Sequence, residues 1–173
     1  MQQLNREHTM QLNDPLLFRQ QCLINGEWLN ADSGKTFNVN NPATDATVGN
    51  VPDMGAAETA RAIAAAEAAF PLWSKKTAKE RSIILRKWFD LIIAHTDDLA
   101  KLMVIEQGKP LAEAKGEVVY GASFVEWYAE EGKRVYGDVI PPFLNDRRQI
   151  VIKQPIGVVA AITPWNFPIA MIT

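Results

Sequence analysis

The residue types best suited to act on a substrate gather near the end of this chain, in residues 162–168 (ITPWNFP). An Asn amide at the end of a strand can donate a hydrogen bond to a developing oxyanion. The mouth of a parallel strand, just before a helix, is where α/β sheets bind ligands. The same residues also describe a structural turn, in which Trp165 and Phe167 pack and Asn166 satisfies backbone groups. Taken alone, residue type and spacing favour that structural reading. Cys22 could be a nucleophile, but a reactive thiol needs a base or a positive field, and none is close in sequence. It reads instead as a buried structural thiol. His8 and His95 lie far apart without ligand spacing, so no metal site is expected. His95 reads as a helix C-terminal residue, favoured there by the helix dipole. Asp97-Asp98 and Glu130-Glu131 occupy adjacent positions that do not face each other on a helix, so capping and solvation explain them. Neither the three-glycine dinucleotide pattern nor a GxxxxGK[ST] phosphate loop occurs.

A turn that acts must be held by a strand before it and helices around it. Residues 157–163 (GVVAAIT) are short, β-branched and uniformly apolar, the pattern of a parallel strand buried on both faces. Residues 148–153 (RQIVIK) read as another strand, preceded by turn signals at Pro141-Pro142 and Asn145-Asp146. Four helices are expected ahead of these. The first is alanine-rich, over 55–70, with Ile63, Ala66, Phe70 and Trp73 as its apolar stripe and Pro71 to kink or end it. Thr77-Ala78-Lys79-Glu80 is a capping box that opens the second, with Ile84, Trp88, Leu91 and Ile92 on one face. Thr96-Asp97-Asp98 is expected to cap the third, with Leu99, Leu102 and Met103 inward and Gly108-Lys109-Pro110 as its stop. Pro110 opens the fourth as its first residue. Leu111, Ala114, Val118, Gly121, Ala122, Val125 and Tyr128 form its buried stripe, and it should end between Glu131 and Gly137. Gly116 and Gly121 each cost about 1 kcal/mol against Ala in a helix interior, which points to close approach by another backbone. Before the helices, residues 1–15 read as a loose polar leader, with Met10 as an alternative start. Residues 22–29 then form a hairpin about Asn25-Gly26, where both turn residues tolerate positive φ. A turn at Asp32-Ser33-Gly34-Lys35 leads to short strands at 37–40 and 48–51.

Composition narrows the classes. The 173 residues amount to one domain or slightly more at roughly 150 per domain. Hydrophobic residues at 47% and charged residues at 22% suit a soluble globular core rather than a disordered chain. A net charge of −2 gives no electrostatic case for nucleic acid or an anionic membrane as partner. A single cysteine excludes an internal disulfide, and no run of 18 apolar residues could form a membrane span. The polar N-terminus lacks a signal-peptide core, so the cytoplasm is expected. A strand buried on both faces needs partner strands, and no later segment supplies them. The chain is therefore expected to be the N-terminal piece of a larger protein, truncated on its C-terminal side.

Seven strings, taken in order, resemble the NAD(P)-dependent aldehyde dehydrogenase superfamily: LINGEW (23–28), NPAT (41–44), FPLW (70–73), TAKER (77–81), EQGKPLAEAKGEV (106–118), QPIGVV (154–159) and TPWNFP (163–168). The string at 106–118 and SFVEWYAEEGKR (123–134) look most like the succinate-semialdehyde dehydrogenase branch. The resemblance covers roughly residues 16–173 and reverses the structural reading of the turn. It implies an α/β fold cut short: a β-rich start, about four helices, a β-hairpin of the oligomerisation arm, and the first strand of a Rossmann-like parallel sheet. The implied division is a leader over 1–15, part of the cofactor-binding domain over 16–135, the hairpin over 136–154, and the incomplete dinucleotide-binding sheet over 155–173. The implied cofactor is NAD or NADP, the implied substrate a small aldehyde, and the full-length parent a homo-oligomer. The family forms a thiohemiacetal on a cysteine, passes hydride to a nicotinamide, and releases the acid with water. Asn166 matches its oxyanion-hole Asn, and Ile162, Thr163, Pro164, Trp165 and Asn166 match the segment lining the dinucleotide cleft. The family's nucleophilic Cys and general-base Glu have no counterpart here, and Cys22 does not match that nucleophile. The resemblance thus implies a fragment of a succinate-semialdehyde-oxidising enzyme, inactive alone. Alternatives are a non-catalytic oligomerisation or regulatory module that binds a full-length subunit, and a dehydrogenase for glutarate semialdehyde or betaine aldehyde.

Overall fold

The Asn25-Gly26 signal produces the hairpin it specifies. In the computed structural model, which describes residues 11–173, β1 (Cys22–Ile24) pairs antiparallel with β2 (Glu27–Leu29). Asn25 and Gly26 both have positive φ, 52° and 80°, as a type I′ turn requires. Gly34, at φ 67°, turns the chain toward β3 (Thr36–Asn40) and β4 (Thr47–Pro52), a second antiparallel pair whose register shifts between Val39 and Asn40. His8, Met10 and most of the expected leader lie outside the described residues. The end of that leader is held in place. The backbone N–H groups of Asn13 and Asp14 donate to the buried Asp98 carboxylate at 2.9 and 2.8 Å.

Helix α1 (Ala56–Ser74) runs through Pro71 instead of stopping at it. Only the last turn lies beyond the proline, so its missing N–H removes one ladder bond with little helix left to break. The expected stripe of α1 is not buried: Ile63 and Trp73 are exposed, and Glu58 is its buried residue. The Glu58 carboxylate accepts the N–H groups of Asp32 and Gly55, 2.9 and 3.0 Å away. The bond from Asp32 is the main reason its carboxyl is held below the usual range.

Helix α2 (Ala78–Ala94) opens with the expected capping box: Thr77 N–H donates to Glu80, and Glu80 N–H donates to Thr77 Oγ1. Its inward face is Ser82, Leu85, Phe89 and Ile92. Ile84, Trp88 and Leu91 point outward, so only Ile92 of the expected stripe is right. His95 ends α2 and begins α3 (Thr96–Gln107), which Gly108 terminates at φ 80°. Asp98 does not cap α3; it reaches the segment at Asn13 and Asp14 instead.

Helix α4 (Leu111–Glu131) is central. Its buried residues Ala114, Val118, Ala122 and Val125 join Ile92, Ala100 and Met103 in the main core, with Leu85, Phe89, Leu99 and Ile169 packed around them. Small residues along α4 let α2 and α3 pack close, and each fully buried Val contributes roughly 1.5–3 kcal/mol. Leu111 and Tyr128, at the two ends of the expected stripe, are exposed. Gly121 meets the predicted close approach: a Cβ there would lie 2.7 Å from Ile169 Cγ2 and 3.4 Å from the Ala170 Cα. Gly116 faces open space.

Beyond a short 3-10 turn, β5 (Asp138–Ile140) pairs antiparallel with β6 (Gln149–Val151), shorter than the strand expected over 148–153. The expected buried strand at 157–163 does not form. Those residues carry no ladder, and Val159 and Ile162 are 73% and 98% exposed. A parallel strand is held only by neighbouring strands, and none of the described residues pairs with this one.

Candidate functional site

Gly108 and Pro110 place the α3–α4 corner. The left-handed Gly108 ends α3, and Pro110, at φ −55°, sits at the N-cap of α4, one position earlier than expected. Lys109 lies between them and α4 brings Glu117 two turns along. The final turn of the chain packs against both. Together they border an open cleft of about 580 Å³, lined by Lys109, Glu117 and Tyr120 on one side and Trp165, Asn166 and Phe167 on the other.

Two charges sit in the wall of this cleft, almost out of water. The Glu117 side chain is 2% exposed and that of Lys109 10%, and they form an ion pair. Glu117 Oε1 also accepts the backbone N–H groups of Ile169 at 3.0 Å and Ala170 at 3.4 Å. Lys109 Nζ donates to the Asn166 carbonyl at 2.7 Å and lies 4.5 Å from the centre of the Phe167 ring. The pair therefore ties α4 to the turn on both sides of Phe167-Pro168. A buried ion pair is tolerated when further hydrogen bonds satisfy its remaining donors and acceptors, and here the backbone of the turn does so. On the same wall, Gln107 Oε1 is buried with no hydrogen-bond partner among the described residues.

Of the five residues expected to line a cofactor cleft, Trp165 and Asn166 are in this one. Ile162, Thr163 and Pro164 precede it on the extended approach, with Thr163 half-buried and the other two exposed. Asn166 is exposed, its carbonyl is taken by Lys109, and its side-chain amide makes no hydrogen bond among the described residues.

Cys22 is half-buried in β1 and His95 sits between α2 and α3; neither lines the cleft. Among the described residues no group of three His, Cys, Asp or Glu side chains could hold a metal ion, and no helix is long and apolar enough to cross a membrane. Asp97 pairs with Lys115, Glu130 with Lys133 and Glu131 with Arg134, all solvated contacts of modest energy.

Residue-by-residue reading missed Glu117 and Lys109. A signal was present: Glu117 lies three residues after Ala114 and four before Gly121, which puts a carboxylate in the middle of the buried stripe. A charge in that position needs a partner.

Comparison with known proteins gives the setting. A model described as "Aldehyde dehydrogenase family" matches residues 28–173. A glutarate-semialdehyde dehydrogenase of Pseudomonas putida is 67% identical over 164 residues, covering 95% of this chain and 34% of that protein. An NADP(+)-dependent succinate-semialdehyde dehydrogenase of Escherichia coli is 66% identical over the same share of each. The crystal structure of an E. coli NADP-dependent enzyme superposes with a TM-score of 0.92 at 65% identity, covering 94% of this chain and 34% of that one. The chain thus spans about a third of the length of these relatives. Since the match runs from β2 through all four helices to the cleft and its Asn166 turn, the chain belongs to the aldehyde dehydrogenase family.

Proposed function

We propose that this chain supplies one wall of the active site of an NAD(P)-dependent enzyme that oxidises succinate semialdehyde to succinate, with Asn166 as an oxyanion donor. The observation that carries this reading is Asn166 on the cleft wall, its side-chain amide without a hydrogen bond among the described residues, on a turn whose backbone is tied down by Lys109 and Glu117. A donor fixed in advance stabilises charge as it develops, without the cost of reorganisation in the transition state.

The stretch before the turn suits one wall of a dinucleotide site. Residues 158–164 run without a hydrogen-bonded ladder, Ile162 is 98% exposed, and Trp165 is 78% exposed beside the Asn166 amide. An apolar edge that ends in a polar donor can lie along a flat ring and fix its edge. A nicotinamide held there would supply the acceptor for hydride from the substrate carbon. Ile162, Thr163, Pro164 and Trp165 would flank it, and Asn166 would hold the aldehyde oxygen.

Glutarate semialdehyde is a second reading, supported by the 67% identity to the Pseudomonas putida protein. Relatives named for succinate semialdehyde, glutarate semialdehyde and 3-sulfolactaldehyde share one substrate chemistry, a small aldehyde with an anionic group at its far end. The β5–β6 hairpin, with Val139 and Ile150 at 77% and 70% exposure, supports a homo-oligomer at full length.

The test uses this chain in place of the matching third of the E. coli NADP(+)-dependent relative. The chimaera is expected to reduce NADP+ with succinate semialdehyde faster than with glutarate semialdehyde. Asn166→Ala should lower kcat by about 10²–10³-fold. A chimaera that prefers glutarate semialdehyde would overturn the substrate assignment, and an unaffected Asn166→Ala variant would overturn the role of Asn166.

A further inference from the structure

We infer that Glu117 and Lys109 are positioning residues for Asn166, acting through the backbone of the turn; this rests on the proposed role of Asn166. The two side chains hold that turn at both ends. Lys109 Nζ takes the carbonyl of Asn166 itself, and Glu117 Oε1 takes the N–H groups of Ile169 and Ala170, three and four residues later. The ion pair joins the two holds, and Lys109 packs over the ring of Phe167 between them. With its carbonyl fixed, the peptide plane after Asn166 cannot rotate freely, so the direction of its side chain is constrained.

Two further observations fit a device for orientation. Glu117 is on α4, the helix that carries most of the core, and Lys109 is on the corner just before it, so the turn is referenced to the element that contributes most to the packed core. Gly121 lets Ile169 and Ala170 lie directly against that helix, which brings their N–H groups within reach of a side chain one turn back. Positioned groups lose efficiency steeply when displaced by about 1 Å.

The proposal separates from general stability by coupling to Asn166. In the chimaera described above, Glu117→Gln leaves an acceptor oxygen but puts an amide donor against Lys109. Because a lone buried Lys could also unfold the protein, the paired variant Glu117→Gln with Lys109→Met is the second arm: it removes both charges and keeps much of their volume. Both are expected to lower kcat by about tenfold or more with KM changed less than about threefold. Amide exchange by mass spectrometry should quicken in the peptide containing Ile169 and Ala170 while the α2 peptides stay protected. In an Asn166→Ala background the same substitutions should cost almost nothing more, because their effect passes through the missing side chain.

Losses that multiply with that of Asn166→Ala would overturn the proposal, since the pair would then act by another route. So would a folded paired variant with kcat unchanged. Were Asn166→Ala itself without effect, the role of Asn166 would fall and this inference with it. Were Asn166→Ala damaging and the pair neutral, only the positioning role would fall.

Discussion

Two adjacent stretches at the end of this chain behave in opposite ways. Residues 157–163 form its most uniformly apolar run, yet they pair with nothing described and leave Val159 and Ile162 open to solvent. Residues 166–173 form a mixed turn with a weaker pattern, yet they are anchored by a buried ion pair, and Ala170 is 5% exposed. The difference lies in where each finds its partners. A parallel strand is defined by hydrogen bonds to other strands, and its apolar character only states the demand. The turn finds its acceptor, Glu117, on α4 and its donor, Lys109, on the corner just before it, both within the same chain.

The comparison breaks most sharply at Glu117. Glu117→Ala leaves Lys109 without its buried counter-charge and strips two backbone N–H groups of their acceptor. The expected loss is about 3–5 kcal/mol, read from urea denaturation. Glu113→Ala, on the same helix at an exposed position, should stay within about 0.5 kcal/mol. A smaller effect sharpens the same point. Gly116→Ala adds a methyl to open space inside α4 and should stabilise by about 1 kcal/mol. Gly121→Ala has the same gain in propensity, but its Cβ would sit 2.7 Å from Ile169 Cγ2 and 3.0 Å from Thr173 Oγ1. The expected outcome is no net gain in stability and faster amide exchange over residues 169–173.

The parts of this structure that could be read in advance are those fixed by neighbours in sequence. Asn25-Gly26 sets its own φ values, Thr77 and Glu80 satisfy each other, and Gly108 ends α3 because it can turn left-handed. Features decided by what an element meets were misread. Ile84, Trp88 and Leu91 form an apolar face as good as Leu85, Phe89 and Ile92, and only the position of α4 selects between them. Asp98 looks like a helix cap, and its actual partners are 85 and 84 residues away in sequence. Within the site, Asn166 could be singled out because the string around it resembles a known family. Glu117 and Lys109 could not be assigned a role, because their partners lie 52 and 57 residues further along.

The smallest expected effect tests the unpaired side of the comparison. Ile162 is 98% exposed here, so Ile162→Ser removes almost no buried apolar area from this chain. Its stability should change by less than about 0.5 kcal/mol. Placed in the full-length chimaera, the same substitution should behave differently if residues 157–163 join a sheet there. A buried Ile replaced by Ser loses its packing and leaves a hydroxyl to satisfy, at a cost of about 3 kcal/mol or more. Measuring both proteins by denaturant unfolding isolates the contribution of the neighbouring strands, because the local sequence is identical in the two. Equal, near-zero effects would mean that the apolar run stays on the surface even at full length. Its pattern would then reflect contact with a ligand rather than burial in a sheet.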